Sequence, residues 1–180
     1  LKVMGESDTK DIYHNFRSYA DHMRNWISGT KEGESAFDNK NPKCRPHKII
    51  DGELVSNTQK NADKYSRCFW DKVCPCIHTR NDILASQATI HPSDDRVFSV
   101  RELMKLMSIP DSYRWTGISE EELNNLSLVE KSKFFKKEEV NIRQSIGEAV
   151  PTIIFQQIAK NIKKNIQKSV LDEKDIEKII

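Results

Sequence analysis

Arg96-Val-Phe-Ser-Val-Arg-Glu-Leu-Met-Lys-Leu-Met-Ser-Ile-Pro-Asp-Ser-Tyr113 is the stretch on which the reading of this chain turns. Ser99 and Glu102 form an S-x-x-E pattern, in which the hydroxyl accepts a first-turn N–H and the carboxylate reaches back to the N–H of the serine. A helix is expected from there, with Leu103, Leu106 and Met107 on one apolar face. Pro110 is expected to stop it, because proline offers no N–H and disfavours helical geometry in the residue before it. A buried capped helix accounts for these residues alone. It does not account for a second unusual stretch further on, Ile142-Arg-Gln-Ser-Ile-Gly-Glu-Ala-Val-Pro-Thr-Ile-Ile-Phe155.

Taken together and in this order, the two stretches resemble the last two motifs of the DNA cytosine-5 methyltransferases. Arg96, Phe98, Ser99, Arg101, Glu102, Lys105, Leu106, Met107, Pro110 and Tyr113 fall on the penultimate motif. Gln144, Gly147, Ala149, Val150 and Pro151 fall on the last one, with Glu148 where the family usually has Asn. A looser match precedes them: Tyr65, Arg67, Trp70, Asp71, Pro75, Ile77 and Thr79 resemble the close of that family's target-recognition region. Val73 and Cys76 depart from it. The resemblance spans about residues 64 to 160 and leaves residues 1 to 63 in the place of the variable recognition region.

The resemblance implies an α+β chain. A small mixed target-recognition domain, residues 1–95, would precede the penultimate motif and linker helices, residues 96–140. The last motif and C-terminal helix, residues 141–180, would belong to an α/β S-adenosylmethionine-dependent methyltransferase domain. The family moves a methyl group from S-adenosylmethionine to carbon 5 of a flipped-out cytosine, after a Cys thiolate adds to carbon 6. Its Glu-Asn-Val, Gln-x-Arg-x-Arg and F-x-G-x-G motifs are not in this sequence, and its nucleophile sits in a Pro-Cys motif well before the recognition region. Pro75-Cys76 lies too close to the penultimate motif to be that nucleophile. No catalytic residue is therefore assigned, and this chain alone is expected to be inactive. Its implied partners are double-stranded DNA and an N-terminal catalytic half, upstream in the same chain or a separate subunit. The setting implied is the bacterial cytoplasm, on the nucleoid when DNA is bound, in a restriction–modification system.

For the site, the resemblance puts Gly147, Glu148, Ala149 and Val150 in a turn beside the cofactor. Arg96, Arg101 and Glu102 would organise the recognition region through ion pairs. Arg67, Arg80, Asn81 and Gln87 are the candidate base readers, since Arg suits guanine and Asn or Gln adenine. Lys48, Lys72 and Thr79 would hold phosphates. A stand-alone DNA-binding module is the alternative from another class; the last motif counts against it.

Composition sets outer limits. The chain has 180 residues, 31% charged, with a net charge of +2. That is enough for one domain or two small pieces, and the charge by itself does not announce nucleic-acid binding. No apolar run approaches the roughly 18–20 residues that span a bilayer. Cys44, Cys68, Cys74 and Cys76 are expected to be ordinary reduced thiols, since Cys-Pro-Cys is tighter than common zinc spacings, and no metal site is expected.

Along the chain, Leu1 to Asp8 is expected to be a strand or loop. Apolar spacing predicts a helix from Thr9, capped by Asp8 or Thr9, through Ile12, Phe16, Tyr19, Met23, Trp26 and Ile27, ended by Gly29. Residues 28 to 48 are punctuated like a loop, and Asp51-Gly52 marks a turn before a short strand, Glu53-Leu-Val-Ser56. Ser119 and Glu122 predict a second capped helix. Residues 127 to 140 are expected to be helical, with Leu128, Phe134, Phe135 and Val140 partly buried and Lys131, Lys133, Lys136 and Lys137 solvated. Thr152 to Ser169 is expected to be the longest helix, striped by Ile154, Ile158, Ile162 and Ile166, with a separate short helix over 172–180. That stripe should lie exposed in this chain by itself, and invite a partner.

Overall fold

Irregular backbone carries the first half of the chain and helices carry the second. The computed structural model describes residues 11–58 and 63–177; the expectations for Leu1 to Asp8, for capping by Asp8 or Thr9 and for residues 178–180 lie outside them. In order come α1 (Asp21–Ile27), 3-10 turns at Ala36–Asp38 and Pro42–Cys44, β1 (His47–Ile50), β2 (Glu53–Ser56), α2 (Val100–Leu106), α3 (Glu120–Asn125), α4 (Leu128–Glu148) and α5 (Thr152–Glu177).

Among the described residues the sheet is a single antiparallel hairpin, β1 with β2. Its register pairs Ile49 with Leu54 and Ile50 with Glu53. Asp51 and Gly52 both take left-handed φ, 53° and 83°. That is the two-residue turn whose twist matches the strands, which Asp-Gly favours. Elsewhere isolated bridges join Ser35 to Ser66, Lys64 to Gln87, Arg67 to Ile90 and Ile90 to Val97. They lace residues 35–97 together without forming further strands.

Among the described residues, the predicted helix from Thr9 to Ile27 forms only over Asp21–Ile27. The physical reason is that its apolar residues serve two cores. Ile12 and Tyr13 join the larger cluster, with Ile77, Val100, Leu103, Met104 and Ile146. Trp26 and Ile27 join the smaller one, with Leu84, Ile90 and Val97. Backbone groups before α1 are bonded outward instead: Ile12 N–H donates to Asn124 Oδ1 at 2.7 Å, and Tyr13 C=O accepts from Arg101 N–H at 2.9 Å.

Capping boxes open α2, α3 and α4 at Ser99/Glu102, Ser119/Glu122 and Ser127/Glu130. Helix α2 ends before Pro110 requires it to. Ser108 takes a φ of 52°, and Ile109 N–H returns to Met104 C=O at 2.8 Å. The buried face of α2 is Val100, Leu103, Met104 and Met107; Leu106, expected inside, is 42% exposed. In α4, Phe135 is buried, but Leu128 and Val140 are exposed and Lys131, expected in solvent, is buried. Helix α4 also continues past residue 140 to Glu148, because nothing before Val150-Pro151 breaks it. No breaker separates Ser169 from Asp172 either, so α5 runs on to Glu177, past Asp172, where a separate helix was expected to begin.

The larger cluster draws on all of residues 1–95, 96–140 and 141–180, from Ile77 through Leu103 and Phe135 to Ile142. Those three segments are therefore joined by one core. Helix α5 differs. Every side chain from Thr152 to Gln167 is exposed, including Ile154, Ile158, Ile162 and Ile166. It is tied down at its start: Thr152 Oγ1 donates to Ser108 C=O at 2.6 Å, and Ile153 N–H donates to Ser108 Oγ at 3.1 Å.

Candidate functional site

Arg96 emerges from the loop before α2 and meets that helix at its N-terminus. Its Nη1 and Nη2 donate to Glu102 Oε2 and Oε1 at 2.7 and 2.9 Å, and Nε donates to Asp94 Oδ2 at 2.9 Å. The guanidinium also covers the Phe16 ring, 4.1 Å from its centroid. A two-pronged carboxylate pair of this kind fixes orientation as well as distance. Arg101, one turn into α2, gathers Asp11, Asp111 and Glu120. These two arginines tie residues 11–16, residues 94–111 and the start of α3 to one helix.

Both charges around Arg96 respond to this setting. Burial pushes the Glu102 carboxyl up, but its bonds to Arg96 and to the Ser99 N–H outweigh that and bring it to about 2. Burial, and then the Arg96 cation, push the His91 imidazole down from 6.5, while its Nδ1 accepts N–H bonds from Ser93 and Asp94. The signs follow from linkage. His91 takes a proton more readily unfolded, so its contribution is full above about 6.5 and declines as pH falls below it. Glu102 contributes fully above about 4.5, and that share, on the order of 3 kcal/mol, is lost as pH falls toward 2. Urea midpoints should thus be level from pH 8 to 7 and fall in two stages. His91→Gln should remove the first stage and Glu102→Gln should shrink the second, to which depressed Asp82 also contributes. A level curve down to pH 5 would contradict the buried neutral imidazole.

Arg67 sits in a different setting from the one expected of a base reader. It is 3% exposed. Nη1 donates to the carbonyls of His91 and Asp94, both at 2.8 Å, and Nη2 to Ile27 C=O at 3.0 Å and Asp95 Oδ1 at 2.6 Å. Nε reaches Thr30 Oγ1 at 3.2 Å. With every nitrogen engaged inside the protein, no fork is left for a guanine.

Asn81 is likewise buried, at 1% exposure. Its Nδ2 donates to the carbonyls of His78 and Arg143, and its Oδ1 accepts from Arg143 Nη1 at 3.2 Å. This amide stitches the 78–82 loop to α4 and does not face a base. One turn further along α4, Gly147 packs against the same loop. A Cβ on Gly147 would stand 2.4 Å from Thr79 N and 2.5 Å from His78 C and O. Gly147 therefore lies in the last turn of a helix, pressed on the 78–82 loop, and not in a turn of its own. Glu148, the exposed last residue of α4, accepts from Gln144 Nε2 at 2.9 Å, and exposed Ala149 and Val150 follow it.

The remaining candidates are not gathered into one patch. Thr79 and Arg80 are exposed on the loop that faces Gly147, and Arg80 pairs with Asp82 at 2.9 Å. Lys72 is exposed, with Nζ 3.6 Å from the Phe69 ring centroid. Gln87 is half-buried and bridged to Lys64. Lys48 and Lys64 line one open cleft of about 380 Å³. Sequence reasoning passed over Arg143, whose one signal was Glu139 four residues before it; the two pair at 2.8 Å. It also passed over Ser108, for which only the tertiary fold gives a role.

All four cysteines are free thiols. Cys68 is buried and donates to Ala88 C=O at 2.7 Å, whereas Cys76 is exposed. An apolar cavity of about 370 Å³ lies between the Val73–Ile77 segment, Leu106, Ala149, Pro151 and Ile154. It opens beside the Glu148–Val150 segment and the bare stripe of α5.

The fold and site define a small α+β module with arginine-tied loops, a projecting hairpin and an apolar face of the kind that marks an interaction surface. The chain belongs to the C-5 cytosine-specific DNA methylase family, whose profile matches residues 2–164. It is similar to a type II methyltransferase of Avibacterium volantium, 31% identical over 159 residues that cover 83% of this chain and 38% of that protein. It is similar also to a type II methylase of Herpetosiphon aurantiacus, 25% identical over 93% of this chain and 48% of that protein. A DNA (cytosine-5)-methyltransferase of Oryza sativa matches 42% of this chain at 34% identity, and 6% of its own length. The chain thus spans less than half the length of these relatives. No solved structure matches it. No helix among the described residues is long and apolar enough to cross a membrane.

Proposed function

We propose that this chain is the C-terminal part of a DNA cytosine-5 methyltransferase of a type II restriction–modification system, acting on double-stranded DNA in the bacterial cytoplasm. It supplies the target-recognition region and the last helices of the methyltransferase domain. The catalytic nucleophile comes from an N-terminal part, in the same polypeptide or in a partner subunit. The observation that carries this reading is the bare Ile154, Ile158, Ile162 and Ile166 stripe of α5 beside the open apolar cavity. A soluble module has no reason to expose such a face unless another body covers it. The names and relative lengths of the two bacterial relatives support the same conclusion.

S-adenosylmethionine would supply the methyl group. Of the residues expected to meet it, Glu148, Ala149 and Val150 are exposed, with the Ala149 N–H already donated to Ile146 C=O at 3.2 Å. Gly147 is already pressed on His78 and Thr79 and would act by positioning that segment. On the DNA side, Lys48, Lys72, Thr79 and Arg80 are exposed candidates for the phosphate backbone.

Labelled S-adenosylmethionine and duplex DNA test the proposal directly. The chain alone should transfer no methyl group, and mixing it with a catalytic half of the same enzyme should restore transfer. Transfer by the chain alone would overturn the assignment and make Cys76 the first candidate nucleophile. Failure of every assembled mixture, with DNA still bound, would favour a stand-alone DNA-binding module.

A further inference from the structure

Beyond His47, which packs edge-on against Trp26, the hairpin His47–Ser56 is exposed along its length. Ile49, Ile50, Leu54 and Val55 are 72%, 51%, 38% and 44% exposed. A lone two-stranded hairpin is marginal in water, and apolar side chains on its open surface add nothing to folding. The register puts Ile49 and Leu54 on one face, and Lys48, Ile50, Glu53 and Val55 on the other. Charge is layered along its length. Asp51 and Glu53 lie at the tip, whereas Lys48 is at the root and lines a cleft with Lys64, Asn57 and Thr58. Exposed Lys40 and Lys43 lie on the approach to the root.

That layering complements one partner chemistry. The DNA major groove, about 12 Å wide and 8.5 Å deep, admits a two-stranded ribbon. Strands of four residues reach about 13 Å, enough to touch the groove floor. The floor presents thymine methyl groups, which suit apolar side chains, and cytosine amino groups, which suit carboxylate acceptors. The rims present phosphates, which suit lysines. We propose that the β1–β2 hairpin is the base-reading finger of this chain. Ile49, Ile50 and Leu54 meet thymine methyls, Asp51 and Glu53 accept from cytosine amino groups, and Lys48 and Lys64 seat flanking phosphates. The inference rests on the DNA methyltransferase reading above. The acids supply selectivity by exclusion as well: opposite a wrong base, a carboxylate lies unpaired among phosphates.

Selection of bound duplexes from a random-sequence pool tests it with the chain as it stands. The wild-type chain should enrich a motif. Asp51→Asn and Glu53→Gln should each weaken enrichment about tenfold at one C·G position, with total DNA retained at low salt unchanged within about twofold. Ile50→Ala with Leu54→Ala should do the same at T·A positions. Lys48→Ala should lower retention of all sequences and reduce the slope of log affinity against log salt by about 1. If tip variants enrich the wild-type motif at wild-type strength, the hairpin is not the reader, while DNA recognition by the chain stands. If the wild type retains no DNA, the DNA-recognition reading falls as well. A wild-type dimer in sedimentation that Leu54→Ala turns into a monomer would assign the hairpin to a second copy and overturn the proposal.

Discussion

Gly147→Ala should destabilise this protein by about 3 kcal/mol, the upper range for overpacking. The sign is informative, because elsewhere in a helix the same change helps by about 1 kcal/mol. Gly147 lies within α4, so local propensity predicts a gain. Tertiary space predicts the reverse. The new Cβ would fall 2.4 to 2.5 Å from main-chain atoms of His78 and Thr79, and main chain cannot swing aside as a side-chain tip can. That loop is held against α4 by the reciprocal Asn81–Arg143 bonds, so relief would mean breaking them. Gly117→Ala is the control, since nothing lies within 4 Å of its Cβ position. Urea denaturation of both variants decides the matter. Equal midpoints would show that α4 and the 78–82 loop are not in contact in solution.

Arg67→Met should cost about 3 kcal/mol for a separate reason. Methionine fills similar space but leaves the His91 carbonyl without its donor and removes one of the donors on Ile27 and Asp94, whose carbonyls keep Thr30 and the Arg96 N–H. A buried acceptor stranded this way costs about 1–3 kcal/mol. Asp95 is about one-third exposed and recovers water, which moderates the loss. The outcome separates two roles for one residue. A structural arginine lowers the urea midpoint, and any DNA effect follows the unfolded fraction. A base-reading arginine would leave the midpoint unchanged and shift the bound sequence, contradicting the buried geometry.

Local signals were legible in the sequence. The Ser99/Glu102 and Ser119/Glu122 boxes and the Asp51-Gly52 turn involve residues within a few positions of one another, so nothing distant can change their meaning. The exposure of the α5 stripe was legible because no sequence partner for it was present. The helix across residues 11–20 was misjudged since periodicity cannot tell that Tyr13 and Trp26 enter different cores. Arg67 and Asn81 were misjudged because residue type announces hydrogen-bonding capacity but not where the partners lie. Apart from His78, three residues from Asn81, their partners are 24 to 62 positions away. Gly147 was recognisable as a motif residue, yet its neighbour came from a loop distant in sequence.

The attachment of α5 at Ser108 has a mechanical side. A 26-residue helix is about 39 Å long, so a tilt of about 10° at its seat carries the far end about 7 Å. Near that seat the restraint comes from two hydroxyls, Ser108 and Thr152, and two amides, Thr152 and Ile153. The helix is thus a lever with a short fulcrum, and the body it rests on sets its pitch.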